Sequence, residues 1–221
     1  LGIPVVLAIR PNSASLAVDG GKGLTLTAAT VSAAMEAIER HHADAAEVEQ
    51  FTASWRELAE QGSVGAFADL PHARHSVSGA DRRRSWVWTD DIAGGRPLAM
   101  PAELVRIQPD RRNVVVDHQT SSNGLASGNT LTEAVVSGLY EVIERDAVTC
   151  WRLAARAGSC RLRRIDLARV PWEPARDLLQ RIDRGGVDAV AFDCTVDTQV
   201  PTVMAYLIDR ESRHVGMCRG Y

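Results

Sequence analysis

A sixteen-residue stretch of this chain occurs twice, and that repetition limits what the chain can fold into more than any other feature. Residues 25–40 read TLTAATVSAAMEAIER; residues 130–145, 105 positions later, read TLTEAVVSGLYEVIER, with ten of the sixteen positions identical. A repeat kept for packing alone would hold its apolar positions and let its charges drift. Here the identities include Ser32 with Ser137, Glu36 with Glu141, Glu39 with Glu144 and Arg40 with Arg145. Duplicated carboxylates predict a site built between two related helices.

Helix geometry says where those carboxylates point. At about 100° per residue, Glu133, Ser137, Glu141 and Glu144 fall within an arc of roughly 80°. Ala28, Ser32, Glu36 and Glu39 occupy the same arc in the first copy. Val31, Ala34, Met35 and Ile38 cover much of the other side, as Val135, Leu139, Val142 and Ile143 do in the second. Each helix is therefore an acidic stripe on a mostly apolar body. Like charges three or four residues apart cost a few tenths of a kcal/mol per pair even when solvated. Two such stripes brought together need cations between them. Oxygen-only ligands of this kind suit Mg2+, which takes one or two carboxylates, waters and substrate phosphates.

A single Glu-x-x-Glu-Arg is usually a solvated face with local ion pairs; its duplication with Ser and Arg in register is what favours a site. Thr130-x-x-Glu133 also fits a capping box, so Glu133 reads equally as helix cap and as ligand. In Asp19-Gly-Gly-Lys-Gly23, a glycine-rich turn by its composition, Lys22 reads either as an exposed lysine or as a phosphate contact with glycines allowing close backbone approach. No Walker A or Rossmann spacing is present, and nothing resembles a nucleophile elbow.

Residues 121–133, SSNGLASGNTLTE, running into Ser137-x-x-x-Glu141-x-x-Glu144-Arg145-Asp146, resemble the signature of the YcaO family. Gly21-Lys-Gly-Leu24 followed by Ser32-x-x-x-Glu36-x-x-Glu39-Arg40 resembles that family's first nucleotide segment. The resemblance implies a YcaO-like α+β fold with an internal pseudo-two-fold repeat, mixed or antiparallel sheets and two long site helices. It implies ATP-dependent phosphorylation of a peptide amide oxygen, after which a nucleophile replaces that oxygen to give azolines, thioamides or amidines. On this resemblance Glu36, Glu39, Glu133, Glu141 and Glu144 hold Mg2+, directly or through water. Asn129 and Arg145 contact ATP or its phosphates, Ser32 and Ser137 line the nucleotide site, and Lys22 and Arg145 act on the transferring phosphoryl group.

The opening LGIPVVLAIRPNSASL resembles YcaO proteins that work with a TfuA partner in thioamide formation. The chain begins inside a predicted strand without Met and ends at Arg219-Gly220-Tyr221, before a further segment that family members carry. It therefore reads as an incomplete YcaO domain, with one half of the repeat over about 1–105 and the other over about 106–221. The expected partners are a peptide or protein substrate and a TfuA-like or leader-binding protein, and a homodimer is one assembly the reading admits.

Composition bounds the class independently. At 221 residues, 45% apolar and net charge −3, the chain can bury a sizeable core and has no charge excess that demands nucleic acid or a membrane surface. No window approaches a membrane span and no signal-peptide pattern opens the chain. Cys150, Cys160, Cys194 and Cys218 form no Cys-x-x-Cys pair and read as reduced, mostly buried residues of a cytoplasmic protein.

Along the chain, Ile3 to Ile9 reads as a buried strand and Ser15 to Val18 as a second. Glu49 to Gln61 has a helical pattern, and a Gly/Ser/His-rich loop follows to Asp81. Trp86-Val-Trp88 and Leu98-Ala-Met100 read as a hairpin about Asp90–Gly95, with a further strand at Ala102 to Ile107. Glu173 to Asp183 reads as a helix stopped by Gly185-Gly186, and Val187 to Phe192 and Thr202 to Ile208 as strands. Arg82–Arg84 and Arg111-Arg112 read as loop solubility, and His41-His42, about 100° apart on a helix, as structural or exposed. Three functions remain open: a thioamide-forming enzyme dependent on ATP and Mg2+, an azoline-forming cyclodehydratase of the same family, and a non-catalytic peptide-binding scaffold. Five intact glutamates argue against the last.

Overall fold

The repeated segments become the two longest helices of an α+β protein, α1 (Leu26–Ala45) and α4 (Leu131–Arg156). The computed structural model describes residues 1–13, 18–45, 47–74, 76, 79–107, 117–159 and 163–212. Ser15 to Ala17, Arg111, Arg112, Cys160 and Cys218 lie outside them. The described strands form a two-stranded sheet and two three-stranded antiparallel ones. No helix among the described residues is long and apolar enough to cross a membrane. The chain divides into two compact units, one of Leu1–Val5, Lys22–Ala29 and Ala126–Tyr221, the other of Val6–Gly21 and Thr30–Leu125.

In the second of these units, β3 (Phe51–Ala53), β4 (Arg84–Asp90) and β5 (Pro97–Pro101) pair in that order, with Trp86 opposite Phe51 on one side and Pro101 on the other. The predicted hairpin is present. Its second strand lies at the sheet edge, where Pro97 and Pro101 withhold no needed donor. Trp86 is fully buried on Ala53, Leu58 and Ala99, and its indole N–H donates to the Ala53 carbonyl at 2.8 Å. Truncating a tryptophan so buried costs about 3–5 kcal/mol.

Several expectations fail here for identifiable reasons. Glu49 to Gln61 is not one helix: Phe51-Thr-Ala53 is recruited to the edge of β4, and a Ser54–Glu57 capping box starts a fresh helix, α2 (Trp55–Glu60). Ala102 to Ile107 is not a strand, because after Pro101 the chain closes a single helical turn, α3 (Ala102–Val105), with Arg106 N–H on the Ala102 carbonyl. Ile3 to Ile9 forms β1 over Val5–Ile9 but is not buried. In its two-stranded sheet with β2 (Val18–Lys22) only alternate residues are covered, and Val5, Leu7 and Ile9 stand exposed. Asp19–Gly23 is mostly strand rather than turn: β2 takes it as far as Lys22, with ladder bonds to β1 outweighing the glycines' preference for a turn.

In the other unit, β6 (Arg163–Arg164), β7 (Val187–Asp193) and β8 (Val203–Asp209) form an antiparallel sheet with Val187 opposite Asp209 and Asp193 opposite Val203. The helix α5 (Glu173–Arg184) ends at Gly185-Gly186 as the sequence predicts, Gly186 taking φ +73°. Val148 and Trp151 of α4 pack with Cys194, Met204, Phe192 and Tyr206 of the sheet and its connecting loop. Cys194 is buried as expected, and burial pushes its thiol pKa up. Cys150 is exposed on α4, against the expectation, because it lies off the helix face that meets the sheet. Both are free thiols.

Candidate functional site

Each repeated helix starts in the same way. Thr25 Oγ1 accepts from the Ala28 N–H at 3.1 Å while its carbonyl accepts from Ala29 at 3.0 Å. Thr130 does the same, 105 residues on, with Glu133 at 3.2 Å and Ala134 at 3.1 Å. Two residues before each threonine stands a glycine folded tightly over the first turn. A Cβ on Gly23 would lie 2.6 Å from Ala29 N, and one on Gly128 2.6 Å from Ala134 N. Each helix start is thus closed by a threonine cap with a glycine packed over it, at the positive end of the helix.

The repeat extends to which face turns inward. Ala29, Ala33 and Ala43 are buried on α1; at the same offset on α4, Gly138 and Val148 are buried and Ala134 is partly so. Glu36 and Arg40, and Glu141 and Arg145, lie on that same face and are partly buried. Arg40 Nε donates to Glu36 Oε1 at 3.1 Å, and Arg145 Nη2 pairs with Glu141 Oε1. The side that the sequence marks as the apolar body is exposed at Val31, Met35, Ile38, Leu139 and Val142. Small residues let the backbone approach closely, and a carboxylate neutralised by its own i+4 arginine tolerates the inward position that a lone charge would not.

The remaining predicted residues are spread along these elements. Lys22 ends β2 with its side chain exposed, and Ser32 and Ser137 are exposed on the helices. Glu39 is partly buried. Glu133 accepts from the Asn129 backbone N–H at 2.8 Å and from its side-chain amide at 3.0 Å. It therefore closes the start of α4 on the residue before the N-cap, where a capping box would have used Thr130. Glu144 is partly buried, and burial, then the neighbouring Glu141, hold its carboxyl above the ordinary glutamate range against the opposing pull of Arg145. It lines a cavity of about 440 Å³ with Tyr140, Val200, Pro201, Thr202 and Val203. Exposed His41 and His42 sit ring edge to face, 5.8 Å apart.

Two buried ionic clusters were not legible in the sequence. Asp19, its side chain fully buried, accepts Arg10 Nε at 2.9 Å and pairs with Arg40 Nε at 2.9 Å; Arg10 also reaches Asp44 at 3.2 Å. Asp117, nearly buried, pairs with Arg82 at 3.0 Å and Arg84 at 3.7 Å, while Arg83 pairs with Glu57. Arg82–Arg84 is therefore an anchoring run and not loop solubility, because its partners arrive from distant segments. Fully buried His118 bonds Glu103 and stacks on His72 at 5.2 Å. No short spacing links such partners; the composition of β2, with a carboxylate at an inward strand position, is the one available signal.

Among the described residues no group of three or more His, Cys, Asp or Glu side chains stands ready to hold a metal ion. The carboxylates are instead engaged locally, Glu36 and Glu141 by arginines and Glu133 by Asn129. Their chemistry nevertheless fits Mg2+: the donors are all oxygen, and the raised Glu144 carboxyl gains from a nearby cation. Residues 20–221 match the family described as YcaO cyclodehydratase, ATP- and Mg2+-binding.

The chain belongs to the YcaO family.

ATP and Mg2+ are the cofactors of that family. A Rhizobium leguminosarum bv. trifolii protein described as uncharacterized, in the tfuA 3′ region, is 35% identical over 94% of this chain and 49% of its own length. The YcaO from Methanopyrus kandleri, solved with AMPPCP and Mg2+, is 26% identical, with TM-score 0.68 over 99% of this chain and 53% of that one. A heterocyclase solved in complex with substrate and cofactor shares the fold, with TM-score 0.78 at 20% identity over 92% of this chain and 29% of its own. The chain spans from about a third to about half of the length of the curated relatives it matches.

Proposed function

We propose that the protein containing this YcaO chain uses ATP and Mg2+ to phosphorylate a backbone amide oxygen of a peptide, leading to a thioamide in a ribosomally made peptide or protein. The observation that carries this reading is the pair of inward Glu–Arg couples, Glu36–Arg40 and Glu141–Arg145, each on a helix whose start is covered by a bare glycine. In this reading the halves of the repeat, about 1–105 and 106–221, each contribute one of these acidic helices.

Glu36, Glu39, Glu133, Glu141 and Glu144 would hold Mg2+, directly or through water. When bound, Mg2+ supplies neutralisation of the phosphate oxygens and stabilises charge on the phosphoryl group in transfer. Arg145 turns from Glu141 to the phosphates, so that a self-neutralised pair exchanges its internal contact for one cation and one anion. Lys22 adds positive charge at the same group, and Asn129, Ser32 and Ser137 orient the nucleotide. The amide oxygen bonds to the γ-phosphorus as ADP leaves. Sulfide then adds to the activated carbon, and inorganic phosphate departs with the former amide oxygen.

The relative from the tfuA region favours thioamide formation and a TfuA-like partner. The family description as cyclodehydratase favours the second reading, in which a Cys, Ser or Thr side chain of the substrate attacks, with a leader-binding partner. The test uses the full-length protein with its native partner and follows peptide-dependent phosphate release and product mass. ATP binding should require Mg2+, and Glu141→Gln should lower release by about tenfold or more. Equal ATP affinity with and without Mg2+ by calorimetry would remove the glutamates from this role. A product lighter by one water, with no sulfur gained, would establish cyclodehydration in place of thioamidation.

A further inference from the structure

Just before the repeat, the two copies differ at a buried charge. In the first copy Arg40 Nε lies 2.9 Å from Asp19 Oδ1 and donates to Glu36 Oε1 at 3.1 Å, so one guanidinium nitrogen joins a fully buried aspartate to a predicted metal ligand. Asp19 is itself fixed from the other side by Arg10, whose Nε donates to Asp19 Oδ2 at 2.9 Å. Asp19 raises the Arg10 guanidinium's pKa further above its ordinary value, more than Asp44 does. In the second copy, position 124, standing 105 residues after Asp19, is glycine.

We infer that Asp19 is a positioning residue for Glu36, acting through Arg40, and that the repeat has divided its two arginines between separate tasks. Asp19, buried and hydrogen-bonded by Arg10, pairs by charge with Arg40 and leaves the Arg40 Nε–H for Glu36. Arg40 in turn fixes one oxygen of Glu36 and leaves the other for a ligand. Arg145, whose partner Glu141 lies on the same helix one turn away, is the arginine that can turn to a phosphate. This rests on the reading of Glu36 as a Mg2+ ligand. Outer partners of metal ligands commonly change metal affinity by about 10–100-fold when removed.

The experiment titrates Mg2+ by calorimetry into the full-length protein saturated with a non-transferable ATP analogue, and records thermal unfolding without nucleotide for every variant. Asp19→Asn should weaken Mg2+ binding by about tenfold. Should that variant fold poorly, Arg40→Gln, which leaves Asp19 paired with Arg10, should give the same loss. In a Glu36→Gln background neither substitution should weaken Mg2+ binding further, since interacting residues are not additive. Asp44→Asn, which disturbs the same cluster through Arg10 and Ser13, should lower the unfolding temperature with no shift in Mg2+ affinity. Equal losses in wild-type and Glu36→Gln backgrounds, or unchanged Mg2+ affinity in both Asp19→Asn and Arg40→Gln, would overturn the relay. A Glu36→Gln variant with undiminished Mg2+ affinity would instead remove Glu36 as a ligand, and the relay with it.

Discussion

Placing a methyl group on Gly128 tests whether the glycine before each repeated helix is there for space. The Cβ of Gly128→Ala would stand 2.6 Å from Ala134 N, 2.9 Å from Glu133 Cβ and 3.0 Å from the Glu133 carbonyl carbon. Ordinary heavy-atom contact is about 3.5 Å, so the segment must open by roughly 1 Å against backbone held by the Thr130 cap. Overpacking of this kind costs about 1–3 kcal/mol, or several degrees in Tm. Gly128 is outside the left-handed φ region, so the cost is steric and not conformational. Gly65 is also outside that region but has nothing within 4 Å of its Cβ position, which makes it the matched control. Gly65→Ala should be neutral or gain about 0.4–1 kcal/mol through the unfolded chain. Urea unfolding of wild type and both variants gives the comparison, and calorimetry with Mg2+ and ATP should show weaker nucleotide binding for Gly128→Ala alone. Equal stability of the two variants, with equal nucleotide affinity, would refute the cradle.

Two further predictions concern the Glu144 region. With its carboxyl raised above the ordinary range by burial and Glu141, the folded state holds this proton more tightly than the unfolded chain, so stability is lost as pH rises from the ordinary value through the raised one. Glu144→Gln should therefore match wild type near pH 4, be at least as stable at pH 7.5 by denaturant unfolding, and fall in Mg2+ affinity; a wild type more stable than the variant at pH 7.5 would contradict the sign. Tyr140 stands beside Glu144, a proposed Mg2+ ligand, at the 440 Å³ cavity, and Tyr140→Ala should raise KM for ATP several-fold in steady-state kinetics. An unchanged KM for ATP would place the nucleotide outside that cavity.

What the sequence by itself determined is what local chemistry controls. Thr25 and Thr130 cap their helices with adjacent N–H groups, the i,i+4 spacing brings Glu36 to Arg40 and Glu141 to Arg145, and Gly185-Gly186 stops α5, all within one or two turns. The two blocks that resemble the YcaO signature are likewise contiguous, and the family match over residues 20–221 accords with them. Tertiary structure decided the rest. Phe51-Thr-Ala53 became strand because β4 offered an unpaired edge, against a helical pattern that would have run through it. The apolar side of α1 and α4 stayed exposed, because small residues and neutralised Glu–Arg couples occupy the inward face. Asp19 found Arg10 and Arg40, and Asp117 found Arg82 and Arg84, across separations no short motif records. A buried charge takes whatever counter-charge the folded path brings within reach, and that path is a property of the whole packed chain.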